Sequence, residues 1–313
     1  MTRPHPAAGP AAAIRRAGVH RDRPPRGGQS RCTPRRTVAR VRDPVRSFGS
    51  QSDLVTLNPP HQYADDRNLS ARQRLWQCRI PPFDAAAWVL DLAGVVAGSR
   101  VLDAGCGNGL YLRALRVRRA SVVGCDLSPG MLRAIARSGD LINADVTALP
   151  IRDGAVDVVI AAQLLDLVPD RGAAVRELRR VLAPSGTCIV VTTGAQHLRS
   201  LRALAEQAAQ VRTPGWRMDP PTGTAFTAQN AAAQLGLAFR QVTWVSAAAA
   251  GPVVIKDASV AEDYVNSLAD HYQSQVAEPW QDIARQVGSR VQAVIASEGE
   301  FRTAGDTVAF VCR

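Results

Sequence analysis

Lysine is almost missing from this chain: Lys256 stands alone against 37 arginines. Cysteine is sparse as well, with six residues at positions 32, 78, 106, 125, 188 and 312 and no C-x-x-C pair. That spacing excludes a disulfide framework and the usual structural zinc motifs. Cys106, Cys125 and Cys188 stand in glycine-loop or strand contexts, where a small apolar side chain fits. Long apolar runs are lacking too. The stretches 85–97 and 156–168 are short and broken by Asp91, Asp157 and Asp166, so neither is built to span a bilayer. The Arg15-Arg16 pair is not followed by an apolar segment, which leaves a secretory or twin-arginine leader unsupported. A cytoplasmic protein without a membrane partner is expected.

What the chain does have is 313 residues, 46% of them hydrophobic, enough for one large α/β domain with insertions. Its net charge of +11 is unevenly spread. Residues 1–54 hold twelve arginines and three aspartates, a net of +9, which leaves +2 for the rest. That segment is rich in Arg, Pro, Gly and Ala without helical or strand period, and is expected to be a disordered tail. The arginine bias also fits translation of G- and C-rich DNA, so the segment reads more strongly as a mis-annotated extension, with recognisable protein starting at Val55. As a nucleic-acid arm it would lack stacking aromatics, since Phe48 is its single ring.

The chemistry is concentrated between Val101 and Val146. V-L-D-A-G-C-G-N-G-L is an apolar strand ending in Asp103, then a glycine-rich turn opening a helix. V-V-G-C-D is a second strand ending in Asp126, and Leu141–Ala144 a third closed by Asp145. Gly105, Gly107 and Gly109 permit positive φ and let backbone approach a ligand. A dinucleotide site needs G-x-G-x-x-G so that a pyrophosphate can sit on the helix N-terminus. Here the third glycine comes one residue early, and Asp103 beside the loop would repel a pyrophosphate but welcome a cation. A sulfonium that carries an α-amino group is such a ligand. Asp126 is placed for two ribose hydroxyls, and Asp145 for an adenine amino group.

These segments resemble the class I S-adenosyl-L-methionine-dependent methyltransferases. V-L-D-A-G-C-G-N-G is similar to their first motif, and V-V-G-C-D-L-S-P-G-M-L to the segment after it. A-D-V-T-A-L-P-I-R-D-G-A-V-D-V-V-I-A-A-Q is similar to the adenine-binding and fourth-strand region, and L-R-R-V-L-A-P-S-G-T-C-I-V-V-T-T to the approach to the fifth strand. The resemblance implies a Rossmann-like, doubly wound seven-stranded sheet, mostly parallel with an antiparallel last strand, over residues 55–313. It implies that Asp103, Gly105, Gly107 and Gly109 cradle the methionine part, that Asp126 and Leu127 hold the ribose, and that Asp145 and Val146 meet the adenine. Gln163 would lie beside the sulfonium. The segments A-E-D-Y-V-N-S (261–267) and V-A-F-V-C-R (308–313) are similar to bacterial members grouped with the quinone-biosynthesis type, which implies a small-molecule acceptor.

The alternation of periods predicts a helix over Phe83–Val96, a strand at Arg100–Asp103, a helix at Leu110–Arg118 and a strand at Ser121–Asp126. A helix starts at Ser128-Pro129, Ser as cap and Pro in the first turn. Val156–Ala161 reads as a central strand buried on both faces. A helix over Gly172–Leu182, a turn at Pro184-Ser185-Gly186 and a strand at Thr187–Thr192 follow. Beyond them come a helix from His197 to Val211 and strands at Phe239–Val245 and Val308–Val311. Two amphipathic helices, Ser259–Gln275 and Pro279–Ala296, form an insertion of about 257–297 that could roof an acceptor pocket. Residues 60–80 read as a short helix over the mouth, with Tyr63, Arg67 and Trp76 as substrate-side candidates beside Arg72.

A sulfonium methyl is already activated, so transfer depends on holding the nucleophile in line, and a base helps only with hydroxyl or protonated-amine acceptors. His61, Tyr63, Asp166, His197 and His271 are the candidates. His197 stands out, since it follows the fifth strand directly. No metal site is expected. The Asn/Asp-Pro-Pro-aromatic run used on exocyclic amines is absent after the fourth strand, where Ala162-Gln163-Leu164-Leu165-Asp166 stands, and so is a Pro-Cys nucleophile. A methyltransferase for O, N or C of a small molecule is therefore expected. Two alternatives stay open: an rRNA or tRNA base methyltransferase using the arginine-rich segment, and an S-adenosyl-L-methionine-binding protein without turnover.

Overall fold

Alternation of apolar residues with period two puts two different faces on each central strand, and both faces are buried. In the computed structural model the described residues are 61–136, 140–218 and 226–313. The expected tail at 1–54 lies outside them, as does the side chain of His61. The strands are β1 (Arg100–Ala104), β2 (Ser121–Asp126), β3 (Asp140–Asn143), β4 (Val156–Ala162), β5 (Leu182–Thr193), β6 (Val242–Ser246), β7 (Val253–Ile255), β8 (Phe301–Thr303) and β9 (Thr307–Cys312). The helices are α1 (Arg67–Gln77), α2 (Ala85–Leu92), α3 (Leu110–Val117), α4 (Pro129–Ala134), α5 (Arg171–Val181), α6 (Arg199–Ala209), α7 (Ala231–Leu235), α8 (Ala258–Asn266), α9 (Ala269–Tyr272) and α10 (Trp280–Glu298).

Seven strands form one sheet in the order β3-β2-β1-β4-β5-β9-β6. The first five run parallel, and β9 inserts antiparallel between β5 and β6. This is the expected Rossmann-like sheet with its antiparallel last strand. Leu102, Val159, Val190 and Phe310 face one core with Val175 and Leu178 of α5. Their sequence neighbours Val101, Ile160, Ile189 and Ala309 face the other, with Val89 and Leu90 of α2 and Leu115 of α3. Because connections between parallel strands lie on the sheet's faces, the turns after β1, β2 and β4 open at one edge, where doubly wound sheets bind ligands.

A second layer is built from α1, α6, α8 and α10 around Trp280, which is fully buried. Trp280 stacks on Tyr272 at 5.2 Å, meets Trp216 edge-on at 5.9 Å, and donates from Nε1 to the Val265 carbonyl at 2.7 Å. The small sheet of β7 and β8 joins this layer through Ile255 and Phe301.

Three expectations on element bounds are corrected. The turn at Pro184-Ser185-Gly186 is a bulge inside β5: Val156 pairs with Leu182 and Val158 with Thr187, so the intervening residues loop out without ending the strand. The helix expected from Ser259 to Gln275 breaks after Asn266, because the Ser267 carbonyl accepts from Arg72 at 2.6 Å and its hydroxyl turns back to the Tyr264 carbonyl at 2.6 Å. The helix expected from His197 starts at Arg199, since Leu198 takes a left-handed φ of 50° ahead of it.

Candidate active site

Asp103, the last residue but one of β1, has its carboxylate almost wholly enclosed, and its Oδ2 has no hydrogen-bond partner. Burial, with the Asp126 charge second, pushes its pKa up to about 8. The chain then turns through Gly105, Gly107 and Gly109, with φ of 70°, 50° and 78°. These are the three positions where the glycines are required. The Gly105 and Cys106 N–H groups donate to the Cys125 carbonyl at 2.8 and 2.9 Å, which ties the loop to the end of β2. Gly109 caps α3 in the left-handed region.

Asp126 ends β2 and organises the loop from the other side. Its Oδ2 accepts from the Gly107 N–H and its Oδ1 from the Ser128 N–H, each at 2.8 Å. Burial raises its pKa, and these two backbone donors pull it back. The Asn143 side-chain amide donates to the carbonyls of Asp126 and Leu127 at 3.0 and 2.9 Å, holding the turn that presents both residues. Asn143 was missed in the sequence, although an amide at a strand end beside two acids was a readable signal. Asp145 accepts from the Thr147 N–H at 2.8 Å, and Val146 is buried next to it. Gln163, at the end of β4, has a left-handed φ of 52° and donates its N–H to Val191 on β5 at 2.9 Å. A non-glycine residue held there costs on the order of 1–3 kcal/mol, and such residues cluster at functional sites.

The segment 62–77 covers the loop. A Cβ on Gly107 would come within 2.7 Å of Leu69, and one on Gly105 within 2.9 Å of Leu164. Gln73 of α1 and Asn108 exchange amide hydrogen bonds at 2.9 and 2.8 Å. The Tyr63 carbonyl accepts from the Ser128 hydroxyl at 2.6 Å. The substrate-side candidates divide. The Tyr63 hydroxyl accepts from Arg72 at 2.9 Å and lies inward. Arg67 is 87% exposed in its side chain and paired with Asp65. Its residue lines a groove of about 410 Å³ between α1 and α8, with Arg74, Asp263, Asn266 and Ser267. Trp76 has its indole N–H buried without a partner.

Arg72 is the centre of the cover. Its guanidinium donates to the Ser267 hydroxyl (3.1 Å) and carbonyl (2.6 Å), the Tyr63 hydroxyl (2.9 Å) and the Gln62 amide oxygen (2.6 Å). All four acceptors are neutral. Asp166, half-buried in the turn after β4, has its Oδ1 enclosed and unpartnered, and desolvation raises its pKa against a hydrogen bond from its own backbone N–H and the charges of Arg72 and Arg171. His271 sits with Nε2 at 2.6 Å from the Gln62 amide nitrogen, its pKa lowered to about 4 by burial and then by Arg72. His197 is buried with Nδ1 unpartnered, and its pKa is also lowered to about 4, by burial and by the charges of Arg79 and Arg202. Tyr63, Arg72, Asp166 and His271 thus share one cluster, while the charges acting on His197 belong to another.

A parallel sheet with one antiparallel inserted strand, and acids at the ends of successive strands around a glycine turn, give the Rossmann-like fold of the class I S-adenosyl-L-methionine-dependent methyltransferases. Residues 102–190 match the family described as the methyltransferase domain. The malonyl-[acyl-carrier protein] O-methyltransferase of Halorhodospira halophila is 38% identical over 122 residues, 36% of this chain and 41% of that protein. The ubiquinone biosynthesis O-methyltransferase of Bordetella bronchiseptica is 35% identical over 108 residues, 32% of this chain and 44% of that protein. The chain thus spans less than half the length of these curated relatives. In fold, it is similar to the structure of a candidate methyltransferase from an antibiotic biosynthesis pathway of Anabaena variabilis, with a TM-score of 0.53 at 15% identity over 75% of this chain and 98% of that one.

Proposed function

We propose that this protein is an S-adenosyl-L-methionine-dependent methyltransferase that acts on O, N or C of a small organic molecule in the cytoplasm. The observation that carries the reading is the orphaned, enclosed oxygen of Asp103 beside a glycine loop, with Asp126 ending the next strand. An enclosed carboxylate oxygen without a donor calls for a cationic or N–H ligand. The α-amino group of S-adenosyl-L-methionine fits that demand, and a pyrophosphate does not. Asp126 would hold the ribose hydroxyls through the lone pairs that Gly107 and Ser128 leave free, with Leu127 beside it. Asp145 and Val146 would meet the adenine, and Gln163 the reacting end.

The bound cofactor supplies a methyl group activated on a sulfonium. The chain's own part is to position the acceptor and exclude water. Arg72 supports this by tying the 62–63 turn and α1 to Ser267, just past α8. The helices between 257 and 297 would roof the acceptor site through that contact. The two relatives are both named as O-methyltransferases, so oxygen acceptors come first in a screen.

The test is calorimetric titration with S-adenosyl-L-methionine, with NAD as control, followed by transfer of radiolabelled methyl to small acceptors and to RNA. Micromolar binding of the first ligand alone and label on a small molecule are expected. Binding without any transfer would favour a non-catalytic cofactor-binding protein, and label on RNA a base methyltransferase.

A further inference from the structure

We propose that Asp166 takes the proton of the methyl acceptor, with the Tyr63 hydroxyl positioning the reacting atom, so that the acceptor is a hydroxyl or an amine and not a carboxylate. The proposal rests on the methyltransferase reading and narrows its substrate class.

Asp166 stands four residues beyond Ala162, where β4 ends, on the same edge of the sheet as Asp103 and Asp126. Its Oδ1 is enclosed and has no donor. Arg72, whose charge acts on it, gives its hydrogen bonds to Ser267, Tyr63 and Gln62. The other arginine acting on it, Arg171, donates from Nε to the Leu165 carbonyl at 3.1 Å. An enclosed carboxylate oxygen left this way costs its desolvation unless a ligand brings a donor. The second observation is Tyr63. Its hydroxyl accepts from Arg72, which leaves its own hydrogen to give, and both Asp126 and Asp166 act on it. Tyr63 is thus a neighbour of both the ribose-side acid and Asp166, and Asp166 follows β4 three residues after Gln163.

A hydroxyl or ammonium placed there satisfies Oδ1 and can receive from the Tyr63 O–H. As the acceptor oxygen or nitrogen takes the methyl group, with the C–S electron pair left on sulfur, its proton passes to Oδ1 of Asp166. A carboxylate acceptor has no proton to give and would be repelled by the Asp166 charge. The histidines are poorer candidates. His271 has its Nε2 occupied by Gln62, and His197 answers to Arg79 and Arg202. Burial raises the proton affinity of the Asp166 carboxyl, opposed first by its own backbone N–H and then by the charges of Arg72 on α1 and Arg171 on α5.

The experiment compares wild type with Asp166→Asn and Tyr63→Phe. S-adenosylhomocysteine titration reports folding and the cofactor site. Radiolabel transfer is measured on matched phenols, alcohols, amines and carboxylic acids, and on a cellular metabolite extract. Transfer to a hydroxyl or amine is expected. Asp166→Asn should lower kcat by about 100-fold or more while S-adenosylhomocysteine affinity stays within about twofold. Wild-type kcat should fall about tenfold per pH unit below the raised Asp166 pKa, an acid limb missing from the residual rate of the variant. If Asp166→Asn does not fold, the wild-type acid limb decides the matter. An Asp166→Asn rate close to wild type, a missing acid limb in wild type, or transfer to carboxylates alone would overturn the proposal. Cofactor binding without transfer to any compound would overturn the methyltransferase reading and this proposal with it, whereas a methylated hydroxyl insensitive to Asp166 would overturn this proposal alone.

Discussion

Asp103 makes ligand affinity a function of pH. Its carboxyl ordinarily titrates near 3.9, and burial with the Asp126 charge moves it to about 8. Between those values the native chain holds a proton that the unfolded chain has lost, so stability from this group falls as pH rises, by on the order of 5 kcal/mol in all. Holding an ammonium group requires the ionised form. At pH 7 most of the carboxyls are protonated, so binding should release close to one proton and carry a penalty of roughly 1–2 kcal/mol. The penalty grows by about tenfold in affinity toward pH 6 and is largely gone by pH 8. A charged hydrogen bond contributes about 1.5–3 kcal/mol. Asp103→Asn should therefore bind S-adenosylhomocysteine about as well as wild type at pH 6 and fall progressively behind toward pH 8. It should also flatten the pH dependence of stability between about pH 4 and 8. Calorimetry at three pH values, in buffers of different ionisation enthalpy, reads affinity and proton release together. Wild-type affinity that does not change with pH, or a variant deficit that is the same at every pH, would refute the reasoning.

Three further outcomes are expected. Asp126→Ala should weaken S-adenosylhomocysteine binding by about 1–3 kcal/mol, and unchanged calorimetric affinity would remove Asp126 from the ribose site. Gly130→Ala would bring a methyl to 1.7 Å from the Ala64 carbonyl oxygen, a backbone atom that cannot swing aside. It should cost about 1–3 kcal/mol in urea unfolding, and a neutral result would mean that the 62–66 segment does not sit against α4. Trp280→Ala should cost about 3–5 kcal/mol by the same measurement, because the fully buried indole anchors α10 to α8, and a loss below about 1 kcal/mol would mean that the layer is not packed around it.

What could be read in the sequence, and what could not, follows from the distance over which each feature is determined. β1, β2 and β4 and the acids at 103, 126 and 145 were legible because continuous apolar runs and glycine spacing are local signals. The bulge in β5 was not, because Pro184-Ser185-Gly186 has the composition of a turn, and only the pairing of Leu182 with Val156 keeps the strand running. The β7–β8 pair escaped because each strand is three residues long, too short to show a period, and its partner lies more than forty residues away. The break after Asn266 escaped for a similar reason: a carbonyl that would continue the helix is taken by Arg72, 195 residues earlier in the chain.

The same rule divides the candidate site. Its proposed cofactor half, Gln163 apart, lies within 103–146, so one pass along the chain exposes it. Its proposed acceptor half is drawn from 62–72, from Asp166 and from 264–271, and no spacing in the sequence links them. Tyr63 and Asp166 are recognisable one by one as groups able to handle a proton, as are His197 and His271. What separates them is how far each is already satisfied by neighbours remote in sequence. His271 is engaged by Gln62, and His197 is held neutral beside Arg79 and Arg202, whereas Tyr63 keeps a hydrogen to donate and Asp166 an oxygen to accept. Residue type limits which groups can do the chemistry, and unspent hydrogen-bonding capacity together with the neighbouring charges selects among them: His197 also has an unpartnered Nδ1, but the Arg79 and Arg202 charges act on it.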